Sequence, residues 1–81
     1  MTPGADSGET TVDARGLLCP LPLLRLTAHL ESVPPGATAV LLADDPAAAE
    51  DVRLWCLGQG QEWLGSEEDG SAMRIRVRRV R

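Results

Sequence analysis

Met73-Arg74-Ile75-Arg76-Val77-Arg78 alternates apolar and charged side chains with a period of two. Successive strand residues point to opposite faces of a sheet, so the segment reads as a strand with one apolar and one charged face. A sheet built around it packs on one side only, and its helices must share that side. The alternation fails at Arg78-Arg79, where the strand is expected to end or bulge. Upstream, Gln61 to Ser66 forms a second strand, joined across Glu67-Glu68-Asp69-Gly70-Ser71 to this one, which is read over Ala72 to Val80. Asp-Gly between strand-like runs signals a hairpin. Its register decides where Trp63 points. A loop of two or four residues pairs Trp63 with Arg76 on the charged face, whereas three or five residues pair it with Ile75 or Val77 and turn it inward.

Further upstream the period changes. Leu23, Leu26 and Leu30 fall at i, i+3 and i+7, with Leu24 and Ala28 widening the stripe, which predicts a helix over 23–31. Pro34-Pro35-Gly36 stops it. Ala37 to Ala43 is short, aliphatic and bounded by turn signals, as a buried strand is. Asp44-Asp45-Pro46 starts a second helix, with Asp45 as N-cap and Pro46 at the first helical position. That helix runs to about Leu57, stops at Gly58 or Gly60, and turns Ala48, Val52 and Trp55/Cys56 inward. Thr10 to Asp13 supplies a first strand, and the small, polar residues 1–9 are expected to form a flexible leader. The order is β-α-β-α-β-β. The expected fold is an α/β (α+β) two-layer sandwich, a four-stranded mixed sheet with both helices on one face, in a single domain over 10–81.

Composition narrows the function. Eighty-one residues support one core, and the only aromatics are Trp55 and Trp63. The net charge is −4, but residues 1–69 carry all twelve acids and three Arg, whereas 70–81 carry five Arg and no acid. An acidic chain argues against a general nucleic-acid binder, although the last strand makes a local basic patch. No apolar run approaches the roughly 18–20 residues of a membrane span, and the N-terminus lacks a secretory pattern. A cytoplasmic, membrane-free protein is expected. Two separated cysteines and one histidine give no zinc-ligand spacing and no disulfide framework, so no metal is expected and a reduced setting is.

The chemistry concentrates at Cys19-Pro20-Leu21-Pro22. Cys19 precedes the first helix, with Pro20 read at N1 and Pro22 at N3, where missing amide hydrogens cost nothing and the rings stiffen the turn. A thiol at a helix N-terminus meets the positive end of the helix dipole, which favours the thiolate nucleophile. Arg15 or Arg25 would add positive charge. The two prolines act the other way by removing amides that could bind an anionic sulfur. The net expectation is a lowered Cys19 pKa. From the residues alone, a reactive cysteine and a small packed one weigh about equally, since free cysteine is commonly buried.

The stretch Val12-Asp13-Ala14-Arg15-Gly16-Leu17-Leu18-Cys19-Pro20-Leu21-Pro22 resembles the opening of the TusA (SirA-like) sulfur-carrier family, whose hallmark is D-x-R-G-x-x-C-P-x-P. Pro35-Gly36, Ala43-Asp44-Asp45-Pro46-Ala47, Trp55-Cys56 and Gly60-Gln61-Glu62 continue the likeness over nearly all of 10–80. The resemblance implies a cofactor-free carrier rather than a small-molecule turnover enzyme. By that resemblance Cys19 accepts sulfur as a persulfide from a cysteine desulfurase or another donor and passes it to an acceptor protein. The family's roles include tRNA thiolation, molybdenum cofactor supply and sulfur oxidation. Pro20 and Pro22 would shape the helix start, and Asp13, Arg15 and Gly16 the loop beneath it. The first helix departs from the family's more basic pattern, offering only Arg25 beside apolar Leu21.

The remaining candidates read more plainly. Cys56 is expected in the core, His29 on a solvated helix surface, and Asp44 and Asp45 in capping. No Ser-His-Asp set or nucleotide loop occurs in the sequence. Arg74, Arg76 and Arg78, with Arg25, are the candidate partner-docking residues. A solvated, partly neutralised sheet face is the plainer reading of the last-strand arginines. The alternative function is a non-catalytic regulatory module that binds RNA or protein through that arginine face. A carrier must expose its sulfur, which makes a monomer the simplest state.

Overall fold

The computed structural model describes residues 3–81, and residues 1 and 2 of the expected leader lie outside the described residues. The chain runs β1 (Pro3–Asp13), α1 (Leu21–Leu30), β2 (Thr38–Ala43), α2 (Ala48–Gln59), β3 (Glu62–Asp69) and β4 (Ala72–Arg78). The strands form one mixed sheet in the order β1-β2-β4-β3. β1 lies parallel to β2, pairing Glu9 with Thr38 through Asp13 with Leu42. β4 runs antiparallel to β2, with Leu41 opposite Ile75, and antiparallel to β3. This is the expected two-layer sandwich.

The alternation in β4 works as its sequence dictates. Ile75 and Val77 are fully buried beneath the helices with Ala39, Leu41, Leu26, Val52 and Cys56, while Arg74, Arg76 and Arg78 line the other face. The strand ends at Arg78, where the alternation breaks. Beyond it, the Arg79 N–H still donates to the Ala37 carbonyl (2.9 Å), and the Arg79 side chain reaches the C-terminal end of α1. Its guanidinium donates to the carbonyls of Leu30 (2.9 Å) and Val33 (2.6 Å), and its own carbonyl accepts from Gly36 (2.7 Å). One side chain thus closes the C-terminus of α1, whose last carbonyls have no helical partner.

Several details differ from expectation, β3 running to Asp69 instead of Ser66 and β4 stopping at Arg78 short of Val80 among them. β1 starts at Pro3 instead of Thr10, because residues 3–9 adopt strand geometry without the apolar alternation that marks a strand. Pro20 is the N-cap of α1 instead of N1, which puts Pro22 at N2 and buried. Leu24 and Ala28 do not widen the buried stripe; both are exposed, and Pro22, Leu26 and Leu30 make it. α2 begins at Ala48, capped by Ala47, so Asp45 and Pro46 precede the helix, and Gly60 in the left-handed region (φ 74°) ends it. The left-handed conformation is the reason for glycine at this cap, since the nearest neighbour of a Cβ there is the movable guanidinium of Arg81.

The hairpin resolves Trp63. Asp69 pairs with Ala72, leaving a two-residue Gly70-Ser71 turn, and regular pairing from there would set Trp63 opposite Arg78 instead of the expected Arg76, on the same charged face. A bulge at Leu64 shifts the register by one residue and sets Trp63 opposite Val77. Trp63 therefore packs against the core. The loop is short, yet the ring turns inward, because the extra residue reverses the alternation beyond it.

Candidate functional site

Parallel β1 and β2 end side by side, and each is followed directly by a segment leading to a helix. The loop from Ala14 to Pro20 and the turn Asp44–Ala47 therefore meet at one end of the sheet. Asp44 and Asp45 stitch them together, and Asp13 braces the first loop from within. Asp13 accepts from the backbone N–H of Arg15 (3.1 Å) and takes both arms of its guanidinium (2.9 and 2.8 Å). That bidentate partner holds the Asp13 carboxyl down at about 2. Asp44 accepts from the Gly16 N–H with both oxygens (3.0 and 3.1 Å). Gly16 has φ 83°, so the turn that aims this N–H suits glycine alone. Asp45 divides its oxygens: Oδ1 accepts from Ala47 N–H (3.0 Å) and Oδ2 from Cys19 N–H (2.6 Å). The two backbone bonds lower its pKa, Ala47 contributing more.

Cys19 emerges from this scaffold exposed, just ahead of the Pro20 cap. Its sulfur sits at the rim of a shallow depression walled by Pro22, Leu23 and Ala48. Sγ donates to Asp51 Oδ2 at 3.1 Å. The expected lowering of the Cys19 pKa is reversed. It is raised, first by the hydrogen bond to Asp51, then by desolvation and by the charges of Asp51 and Asp45. Two observations explain why the helix start does not prevail. The Leu21 N–H is taken by the Leu18 carbonyl (2.8 Å), and the Cys19 N–H is taken by Asp45. Arg15, read as a source of positive charge, is committed to Asp13.

The other candidates are spread more widely. Leu18 (71% exposed), Leu21 (47%) and Leu24 (54%) leave apolar surface open around the start of α1, with exposed Arg25 on the same helix. Arg74, Arg76 and Arg78 lie on the opposite face of the sheet and are paired: Arg74 with Asp69, Arg76 with Glu9 and Glu67, Arg78 with Glu62. The structure therefore does not bring these three to the thiol. Cys56 is buried (1% exposed) and unreactive in character, its pKa pushed up to about 11 by burial. His29 is not simply solvated, since its Nε2 lies 2.5 Å from Thr10 Oγ1 and ties α1 to β1. Asp51 was absent from the sequence reading. It stands thirty-two residues from Cys19, and only the placing of α2 beside the start of α1 brings them together. Among the described residues no trio of His, Cys, Asp or Glu is arranged to hold a metal ion, and no helix is long and apolar enough to cross a membrane.

Fold and site together define a small α/β domain that exposes one cysteine just ahead of a proline-capped helix start. Residues 10–79 match the family model described as sulfurtransferase TusA, and the chain belongs to that family. Its fold is also that of a SirA-like protein from Desulfitobacterium hafniense, at 24% identity and a TM-score of 0.71 over 88% of this chain and 97% of that one. TusA proteins are sulfur carriers that work by relay between partner proteins, and membership gives this chain that general role.

Proposed function

We propose that the chain accepts sulfur as a persulfide on Cys19 from a cysteine desulfurase or an equivalent protein donor and passes it to an acceptor protein. The observation that carries this reading is the exposed Cys19 sulfur ahead of the Pro20 cap and Pro22, within the residues that match the family model. The step balances without an external oxidant. The Cys19 thiol loses its proton, and Sγ attacks the terminal sulfur of the donor's persulfide. A new S–S bond forms on Cys19, the donor's own S–S bond breaks, and the donor cysteine leaves as thiolate and takes up a proton. Delivery repeats the exchange with the acceptor's thiolate as attacker.

The surroundings suit this task. The depression beside the sulfur is too shallow to enclose a metabolite, so selectivity falls to the partner's surface. Exposed Leu18, Leu21 and Leu24, around the start of α1, are the surface on which such a partner would seat. The decisive experiment incubates the protein with a cysteine desulfurase and cysteine, then measures intact mass. We expect one added sulfur, removed by reductant, absent in Cys19→Ser and retained in Cys56→Ser. Loading that persists in Cys19→Ser, or that no desulfurase produces, overturns the proposal.

A further inference from the structure

An exposed cysteine intended for nucleophilic exchange would be expected to rest as thiolate, yet every ionisable group facing this sulfur is acidic. Asp51, from the first turn of α2, accepts its proton at 3.1 Å; Asp45, from the turn before α2, lies close enough to act through space. On the loop side, Arg15 is occupied by Asp13, and Asp44 is occupied by the Gly16 amide. On α1, Arg25 acts on Asp13, and its charge is not among those that move the thiol. Pro22, Leu23 and Ala48 wall the sulfur with carbon.

We propose that Asp51 is the positioning residue of sulfur acceptance: its carboxylate holds resting Cys19 as a thiol turned toward α2, and this hydrogen bond must break before Sγ attacks a donor. The inference rests on the sulfur-carrier reading for its purpose, but its physical content does not depend on a donor. It makes the exposed sulfur quiet toward stray electrophiles. A partner that engages Asp51 with a cationic group would weaken the acceptor and free the sulfur in the same act.

The test is the pH profile of Cys19 alkylation by iodoacetamide on the intact chain, with adducts counted by mass and Cys19→Ser as the blank. The wild-type midpoint is expected above that of free cysteine, about 8.5. Asp51→Asn removes the charged acceptor and should move the midpoint down by about one unit. Alkylation at neutral pH should then rise about three- to fourfold, because tenfold more thiolate is partly offset by the lower nucleophilicity of a more acidic thiol. Asp51→Glu keeps the carboxylate and should stay above Asp51→Asn. Asp45→Asn should shift the midpoint less, since that carboxylate binds the backbone N–H and not the sulfur. A wild-type midpoint at or below free cysteine overturns the proposal without any variant. So does an Asp51→Asn midpoint that stays or rises, or an equal shift in Asp45→Asn. If desulfurase loading fails while the alkylation profiles behave as stated, the carrier reading falls and Asp51 stands only as the group that holds the resting thiol.

Discussion

The Asp45 carboxylate spans from α2 to Cys19: one oxygen accepts from Ala47 N–H at 3.0 Å and the other from Cys19 N–H at 2.6 Å. A single side chain thus fixes the backbone under the thiol to the start of the second helix. Asp45→Ala frees both amides and should loosen the Cys19 segment, with faster amide exchange at Cys19 and Ala47 and a thermal midpoint lower by a few degrees. Asp45→Asn, which keeps one acceptor oxygen, should show the smaller loss in both measurements.

The Asp13–Arg15 pair makes a prediction about acid. Asp13 is depressed from 3.8 to about 2, mainly by the Arg15 side chain. A carboxyl with a lowered folded pKa contributes stability above its unfolded pKa and loses it as pH falls through the folded value. The contribution should therefore be complete above about pH 4 and fade toward pH 2. Arg15→Ala should return the Asp13 carboxyl toward 3.8 in an NMR titration and flatten that part of the stability profile.

Arg79 should matter more than the other arginines of its segment. Its two bonds reach the carbonyl of Leu30, the last residue of α1, and that of Val33 in the turn beyond it. Arg79→Ala should cost about 2–3 kcal/mol in denaturant unfolding, the scale for charged hydrogen bonds and the acceptors they leave behind. Arg76→Ala, which removes half-exposed ion pairs at 3.6 Å, should cost less than about 1 kcal/mol.

Cys56 and Cys19 should separate cleanly in labelling. Cys56 lies in the core with its pKa pushed up to about 11, so iodoacetamide at neutral pH should label the folded chain once and the denatured chain twice. Cys56→Ser should destabilise by about 1–3 kcal/mol by burying a hydroxyl without a partner. Cys19 labelling in that variant should be unchanged.

What the sequence discloses and what it conceals follow from range. The β4 alternation, the α1 stripe and the turn residues act within a few positions, and they suffice for element order, the one-sided helices and the end of β4. The motif likewise locates Cys19. The sign of its pKa shift is concealed, because it depends on Asp51, thirty-two residues away, and on amides at Cys19 and Leu21 consumed by other acceptors. Asp44 and Asp45 look like cap residues in sequence, and Asp45 does bond the amide two residues on; that they also clamp Gly16 and Cys19 is visible only in three dimensions. The side taken by Trp63 turns on one unpaired residue, Leu64; the local sign of that bulge is the glycine beside it, Gly65 (φ 121°), inside the strand run.

The closure made by Arg79 has a consequence at the other end of the molecule. α1 has ten residues, so its start and its Arg79-sealed end stand about 15 Å apart. Arg81 and Gln61 bond each other near that sealed end, away from the sulfur. A protein grafted or tethered through its last residue would present Cys19 outward, like a probe held by its handle. Substitutions at the handle can then tune durability while the tip keeps its reactivity.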